Sequence, residues 1–136
     1  MNLAWLSRWQ PQLLAVLRII VALLFVEHGL IKLFGFPPGG QPGQQALGTL
    51  LGVAGIVELV LGGLVFIGLF TRLAAFLASG EMAIAYFMYH APKAFWPAVN
   101  MGEAAILFCF VFLYIAAAGP GAWAIDNARL RKQPIH

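Results

Sequence analysis

Four apolar runs, separated by short polar or glycine- and proline-rich breaks, constrain this chain more than any other feature. They cover roughly residues 13–34, 46–70, 73–90 and 98–118. Each holds about 18–25 residues, the length an α-helix needs to cross about 30 Å of hydrocarbon. Pro11 precedes the first run at a position suited to a helix start. Gly35, Pro37, Pro38, Gly39, Gly40, Pro42 and Gly43 break the chain after it. Thr71 and Arg72 separate the second and third runs, Pro92 and Pro97 bracket the next break, and Gly119-Pro120-Gly121 closes the fourth.

Composition points the same way. Hydrophobic residues make up 62% of the 136 residues and charged ones only 10%, whereas soluble domains carry about 25% charged residues. A chain this short cannot bury that much apolar surface in its own core. The expected fold is all-α, a single integral membrane four-helix bundle spanning 1–136 with its surface against the lipid bilayer. The first run is too long for a signal peptide and contains Arg18, so it is expected to be retained. The net charge of +3 comes from scattered residues, which argues against nucleic acid. The lone cysteine, Cys109, excludes an internal disulfide.

Charge distribution orients the chain. With four spans, Arg8, Arg72, Arg129, Arg131 and Lys132 fall on one side, and Lys32 and Lys93 on the other. The positive-inside rule then places both termini in the cytoplasm. Residues 122–131 suit either a short interfacial helix, with Trp123 in lipid and Arg129 and Arg131 at head groups, or a plain basic tail.

Four of the five acidic residues are glutamates inside apolar runs: Glu27, Glu58, Glu81 and Glu103. Charges within a membrane are costly, so they face a bundle interior or water and find partners there. Measured from the cytoplasmic boundary at 1.5 Å per residue, Arg18 lies about 9 Å up, Glu81 about 13 Å, Glu58 about 18 Å, and Glu27 and Glu103 about 22 Å. Arg18 is therefore expected to pair with Glu81, Glu58 or both. Gly55, Glu58 and Gly62 share one helical face, as do Ala74, Ala78, Glu81 and Ala85; small residues let helices approach closely. Arg18, Glu58 and Glu81 are thus either a register-fixing ion network or a catalytic, proton-carrying centre. His28, Lys32, His90 and Glu103 gather toward the outer end and are candidate ligand-binding residues, with the 35–43 stretch as a lid. His28 and His90 also admit a haem or plain interfacial hydrogen bonds, without matched depth to favour haem. No soluble-enzyme motif and no metal set is present.

Arg18, His28-Gly29-x-x-Lys32, Glu58 with Gly62-Gly63, Gly68-x-x-x-Arg72 and Gly119-Pro120-Gly121-x-x-x-x-Asp126 follow one another in order across nearly the whole chain. In this the sequence resembles the DoxX family of bacterial membrane proteins. The resemblance implies a four-helix protein of the bacterial inner membrane, with relatives linked to thiosulfate:quinone oxidoreduction, oxidative-stress complexes or methylamine utilisation. It implies a membrane subunit of a quinone-linked redox or oxidative-stress system, with quinone as the candidate cofactor and a redox subunit as the candidate partner. A small proton-coupled transporter, a homo-oligomer, or a non-catalytic anchor for a partner enzyme are the alternatives.

Overall fold

The computed structural model describes residues 2–132, and these are all-α, with six α-helices and no strand among them. A 3-10 turn, Ala4–Trp9, runs directly into α1, Gln10–Phe34; α2 is Leu50–Ile67 and α3 is Thr71–Ala85, continued by a π-helical turn at Tyr86–His90. A single turn of helix, α4 (Pro97–Asn100), precedes α5, Glu103–Ala118, and α6 is Ile125–Arg131.

Local chemistry sets these ends. Gly35 stops α1 in the left-handed region (φ 66°), and its N–H donates to the Ile31 carbonyl at 2.9 Å. Thr49 caps α2 by accepting from the Gly52 N–H at 3.1 Å. The second apolar run thus enters its helix at Leu50 rather than near residue 46. The fourth run is likewise interrupted: Met101 adopts a positive φ of 60°, so the long helix starts only at Glu103.

Helix α1 packs along α2 and α3 along α5, with α2 against α3 and a lighter contact between α1 and α5. The core joins Val21, Ala22 and Phe25 of α1, Leu61 and Val65 of α2, Ala74, Ala75, Ala78 and Met82 of α3, and Phe108, Phe112 and Ile115 of α5. Glycine sets the α1–α2 spacing. A Cβ on Gly55 would stand 2.9 Å from the Lys32 Cβ, and one on Gly62 would stand 2.7 Å from the Val26 Cγ2.

The distribution of polarity is inverted relative to a water-soluble protein. Leu13, Ile20 and Leu24 on α1, Val53, Ile56 and Val60 on α2, Phe76 on α3, and Leu107 and Phe110 on α5 are exposed, while Arg18, Lys32 and Glu58 are buried. Charged residues are almost never fully buried in soluble proteins unless paired. In lipid this arrangement is the favourable one. Two helical stretches, Ala4–Phe34 and α2, are long and apolar enough to cross a membrane; α5 is a shorter apolar helix.

Candidate functional site

The α2–α3 connection consists of Gly68, Leu69 and Phe70 alone. Glu58 lies nine residues before the end of α2 and Glu81 ten residues after the start of α3. At 1.5 Å per residue both stand about 14 Å from the turn, so an antiparallel pair puts them at one level. The depth offset expected from the apolar runs is therefore corrected: the helix ends lie at Ile67 and Thr71.

Lys32, not Arg18, meets this level. Its backbone is close to the end of α1, but a helical side chain tilts toward the N-terminus of its own helix. Gly55 leaves room for the stem. The Lys32 Nζ reaches the Glu58 Oε1 at 2.5 Å, with side-chain exposures of 10% and 1%. Glu58 Oε2 and both Glu81 carboxyl oxygens are shut away and receive no hydrogen bond among the described residues. Glu81 is within electrostatic reach of both Glu58 and Lys32. Three helices thus supply one ammonium and two carboxyls to one buried cluster.

Arg18 pairs with neither glutamate, contrary to expectation. It is fully buried, and both of its terminal nitrogens donate to backbone, while Nε has no partner among the described residues. Nη1 donates to the Val65 and Phe66 carbonyls at 2.9 and 2.8 Å, and Nη2 to the Ala122 and Trp123 carbonyls at 3.2 and 3.1 Å. The last carbonyls of a helix have no intrahelical donor and carry the negative end of its dipole. They are therefore a natural sink for a planar cation with five N–H groups.

The same end of the molecule is tied by two further side chains. Asp126 Oδ1 accepts from the Phe70 N–H and Oδ2 from the Thr71 N–H, both at 2.9 Å, capping α3 from a distant part of the sequence. Partial burial pushes the Asp126 carboxyl up, but those backbone amides and the Arg129 charge outweigh it and hold the group below the usual carboxylate range. Arg72 donates to the Ala116 carbonyl at 3.0 Å and also to that of Ala117, closing the C-terminus of α5. Phe70 (φ 49°) is held in the left-handed region between these contacts, beneath the Arg129 guanidinium 4.6 Å from its ring centre.

The expected outer-end set does not assemble into one site. His28 is half-buried, with its ring edge-on to Phe108 at 5.6 Å. His90 Nδ1 lies 3.0 Å from the Asn100 carbonyl, and its ring stacks with Tyr86 at 6.3 Å. Asn100, fully buried, accepts from the Gly102 N–H at 2.8 Å and donates to the Tyr86 hydroxyl and the Ala94 carbonyl. It organises the connection between α3 and α5, a role with no local sequence pattern to announce it. Glu103 is exposed at the first turn of α5 and Glu27 is half-buried on α1. No hydrogen bond or ion pair among the described residues joins His90 or Glu103 to the Lys32–Glu58 pair. The 35–43 stretch lies on the end of α1. Gly40 packs on Ile31, and just beyond it the Gln45 N–H donates to the Lys32 carbonyl at 2.7 Å. Shallow, open clefts occur instead at Arg8, Trp9 and Gln12, and along Leu6, Leu13, Leu17 and Tyr114.

Comparison with known proteins adds the following. The DoxX family model matches residues 13–91. An uncharacterized protein of Haemophilus influenzae is 44% identical over 131 residues, covering 93% of this chain and 98% of its own. An uncharacterized membrane protein of Mycobacterium tuberculosis is 27% identical over 90% of this chain and 84% of its own. The inner membrane protein YqjF of Escherichia coli is 28% identical over 86% of this chain and 92% of its own. No solved structure matches.

Proposed function

The chain belongs to the DoxX family of membrane proteins, and on that premise we propose that it is the membrane subunit of a quinone-linked redox system in the bacterial inner membrane. In this reading α1, α2, α3 with its π-helical extension, and α5 form a four-span bundle that makes up one domain. Both termini lie in the cytoplasm. The positive-inside argument is stronger than the sequence count suggested: Lys32 is an internal ion-pair partner, which leaves Lys93 as the one basic residue for the outer side.

The observation that carries the proposal is the buried Lys32–Glu58–Glu81 cluster. An ionisable group inside a membrane protein is by default a functional-site hypothesis, and this cluster joins a cation to two carboxyls. Quinone reduction takes up protons together with electrons, and a partner subunit would supply the electrons. The donor set suits a quinone head group. His28 lies one helical turn from Lys32 on the same face of α1, and its ring has no hydrogen-bond partner among the described residues. His28 would orient a carbonyl oxygen, Lys32 would polarise the site, and Glu58 and Glu81 would hold and pass protons. Glu103 and His90 stand apart from this centre, and Arg18 acts on the scaffold.

The test is equilibrium binding of a short-chain quinone to the purified protein in quinone-free lipid nanodiscs. Saturable binding near one quinone per chain, weakened about tenfold in H28A, is expected; a tenfold change is about 1.4 kcal/mol. Partitioning equal to that of empty nanodiscs would refute the quinone assignment.

A further inference from the structure

One ammonium faces two carboxyls in a space where charge is expensive. With all three groups ionised the cluster carries one net negative charge. A buried charge left without a partner costs several kcal/mol. The hydrogen-bond count shows the same deficit. Lys32 reaches the Glu58 Oε1, and three acceptor oxygens remain unmet: Glu58 Oε2 and both oxygens of Glu81. Glu58 is 1% exposed, so bulk water does not answer it.

A single added cation would correct the charge, and the number of free ligands decides which cation. Hard metal ions take about six or more oxygen ligands. The cluster offers three free oxygens, short of that number. A proton needs no cavity. Placed on one carboxyl it turns an unmet acceptor into a hydroxyl and brings the net charge to zero.

We infer that Glu58 and Glu81 hold one proton between them, making the cluster an intramembrane proton-binding site with Lys32 as its fixed counter-charge. The groups facing it are few. Helix α1 contributes Lys32, with His28 one turn away, and α2 contributes Glu58. Helix α5, packed against α3, sets Cys109 against Ser79 and Phe108 edge-on to His28, and its Glu103 is exposed. Loading adds one proton and no electrons; release leaves the cluster one charge more negative, which favours the return of a proton over its loss. The inference rests on reading the cluster as the working centre, but not on quinone as the ligand.

Infrared spectroscopy of the protein in quinone-free nanodiscs at neutral pH tests it, reading the C=O stretch of a protonated carboxyl and its shift in heavy water. The wild type should show this band. Both E58Q and E81Q should lose it, because one carboxylate against one ammonium is already neutral. A band that persists in E58Q and vanishes only in E81Q would show Glu81 protonated whether or not Glu58 is present and overturn the one-proton charge balance. A band unchanged in both variants would belong to another residue and overturn the site. A wild type with carboxylate bands only would show a hydrated, fully ionised cluster and overturn it as well. So would a band that disappears on exchanging potassium for sodium at fixed pH, which would mean a metal cation replaces the proton. Quinone binding is measured separately, so either proposal can fail alone.

Discussion

Replacing Arg18 with lysine keeps the charge and most of the volume but removes the fork. Arg18 makes four bonds to the carbonyls of Val65, Phe66, Ala122 and Trp123. A lysine ammonium has three donors at a single point and can satisfy about two of these carbonyls, which lie on two segments. A net hydrogen bond contributes about 0.5–1.5 kcal/mol, so losing two predicts about 2 kcal/mol of destabilisation in R18K. Removing the whole side chain in R18A adds a cavity and takes the Arg18 donor from all four carbonyls, of which Val65 keeps the Gly68 N–H, for a total of about 4 kcal/mol or more. Reversible unfolding in mixed micelles, followed by circular dichroism, measures both. Because no carboxylate touches Arg18, the effect should also be independent of the glutamates. R18K combined with E81Q should equal the sum of the single changes within about 0.5 kcal/mol. An R18K protein as stable as wild type, or coupling above 1 kcal/mol or so with E81Q, would refute the assignment of Arg18 to the helix-end carbonyls.

Other outcomes follow from neighbouring contacts. D126N keeps one acceptor and loses the charge at the start of α3 and should cost about 1 kcal/mol, read by faster amide hydrogen exchange at Phe70 and Thr71. Because the folded state holds the Asp126 carboxyl below its ordinary value, the advantage of wild type over D126N should be complete above about pH 4 and fade as pH falls below it; an advantage that grows on acidification would contradict this. G55A should push Lys32 and α1 away from α2 and cost about 1–3 kcal/mol. G63A, where a Cβ would meet nothing within 4 Å, should be neutral or slightly stabilising, by up to about 1 kcal/mol, and equal effects of the two in thermal melts would discount the close-packed glycine face.

The contrast between Arg18 and Lys32 shows what a single sequence can and cannot convey here. Hydropathy located the long helices and marked Glu58 and Glu81 as inward-facing, because a carboxyl among glycines and alanines has few other places to go. The partners were harder to see. Arg18 binds main-chain carbonyls, which every residue carries and no side-chain pattern reveals. Lys32 sits at a helix end, where a lysine ordinarily marks the membrane surface; only the backward tilt of its side chain and the gap at Gly55 bring it inside. The level shared by Glu58 and Glu81 was recoverable from their near-equal distances to the Gly68–Phe70 turn, had the turn rather than the ends of the apolar runs been the origin of the count. Asp126 caps a helix start some 55 residues away, beyond the reach of any local capping pattern. His90 and Glu103 lie toward the same outer end as His28, yet that alone does not say which face of a helix a residue occupies.

The central claim is that Lys32 and Glu58 form one buried unit, and a double-mutant cycle addresses it most directly. K32M strands Glu58 and should destabilise the protein by about 3–5 kcal/mol, the cost of an unpaired buried charge; E58M should cost less, because the Glu81 carboxyl remains within electrostatic reach of Lys32. The apolar pair K32M/E58M removes both charges at similar volume and should recover most of that loss, giving a coupling energy of at least about 2 kcal/mol. Two single effects that simply add in the double variant would contradict the pair, and with it the cluster on which the proposed function stands.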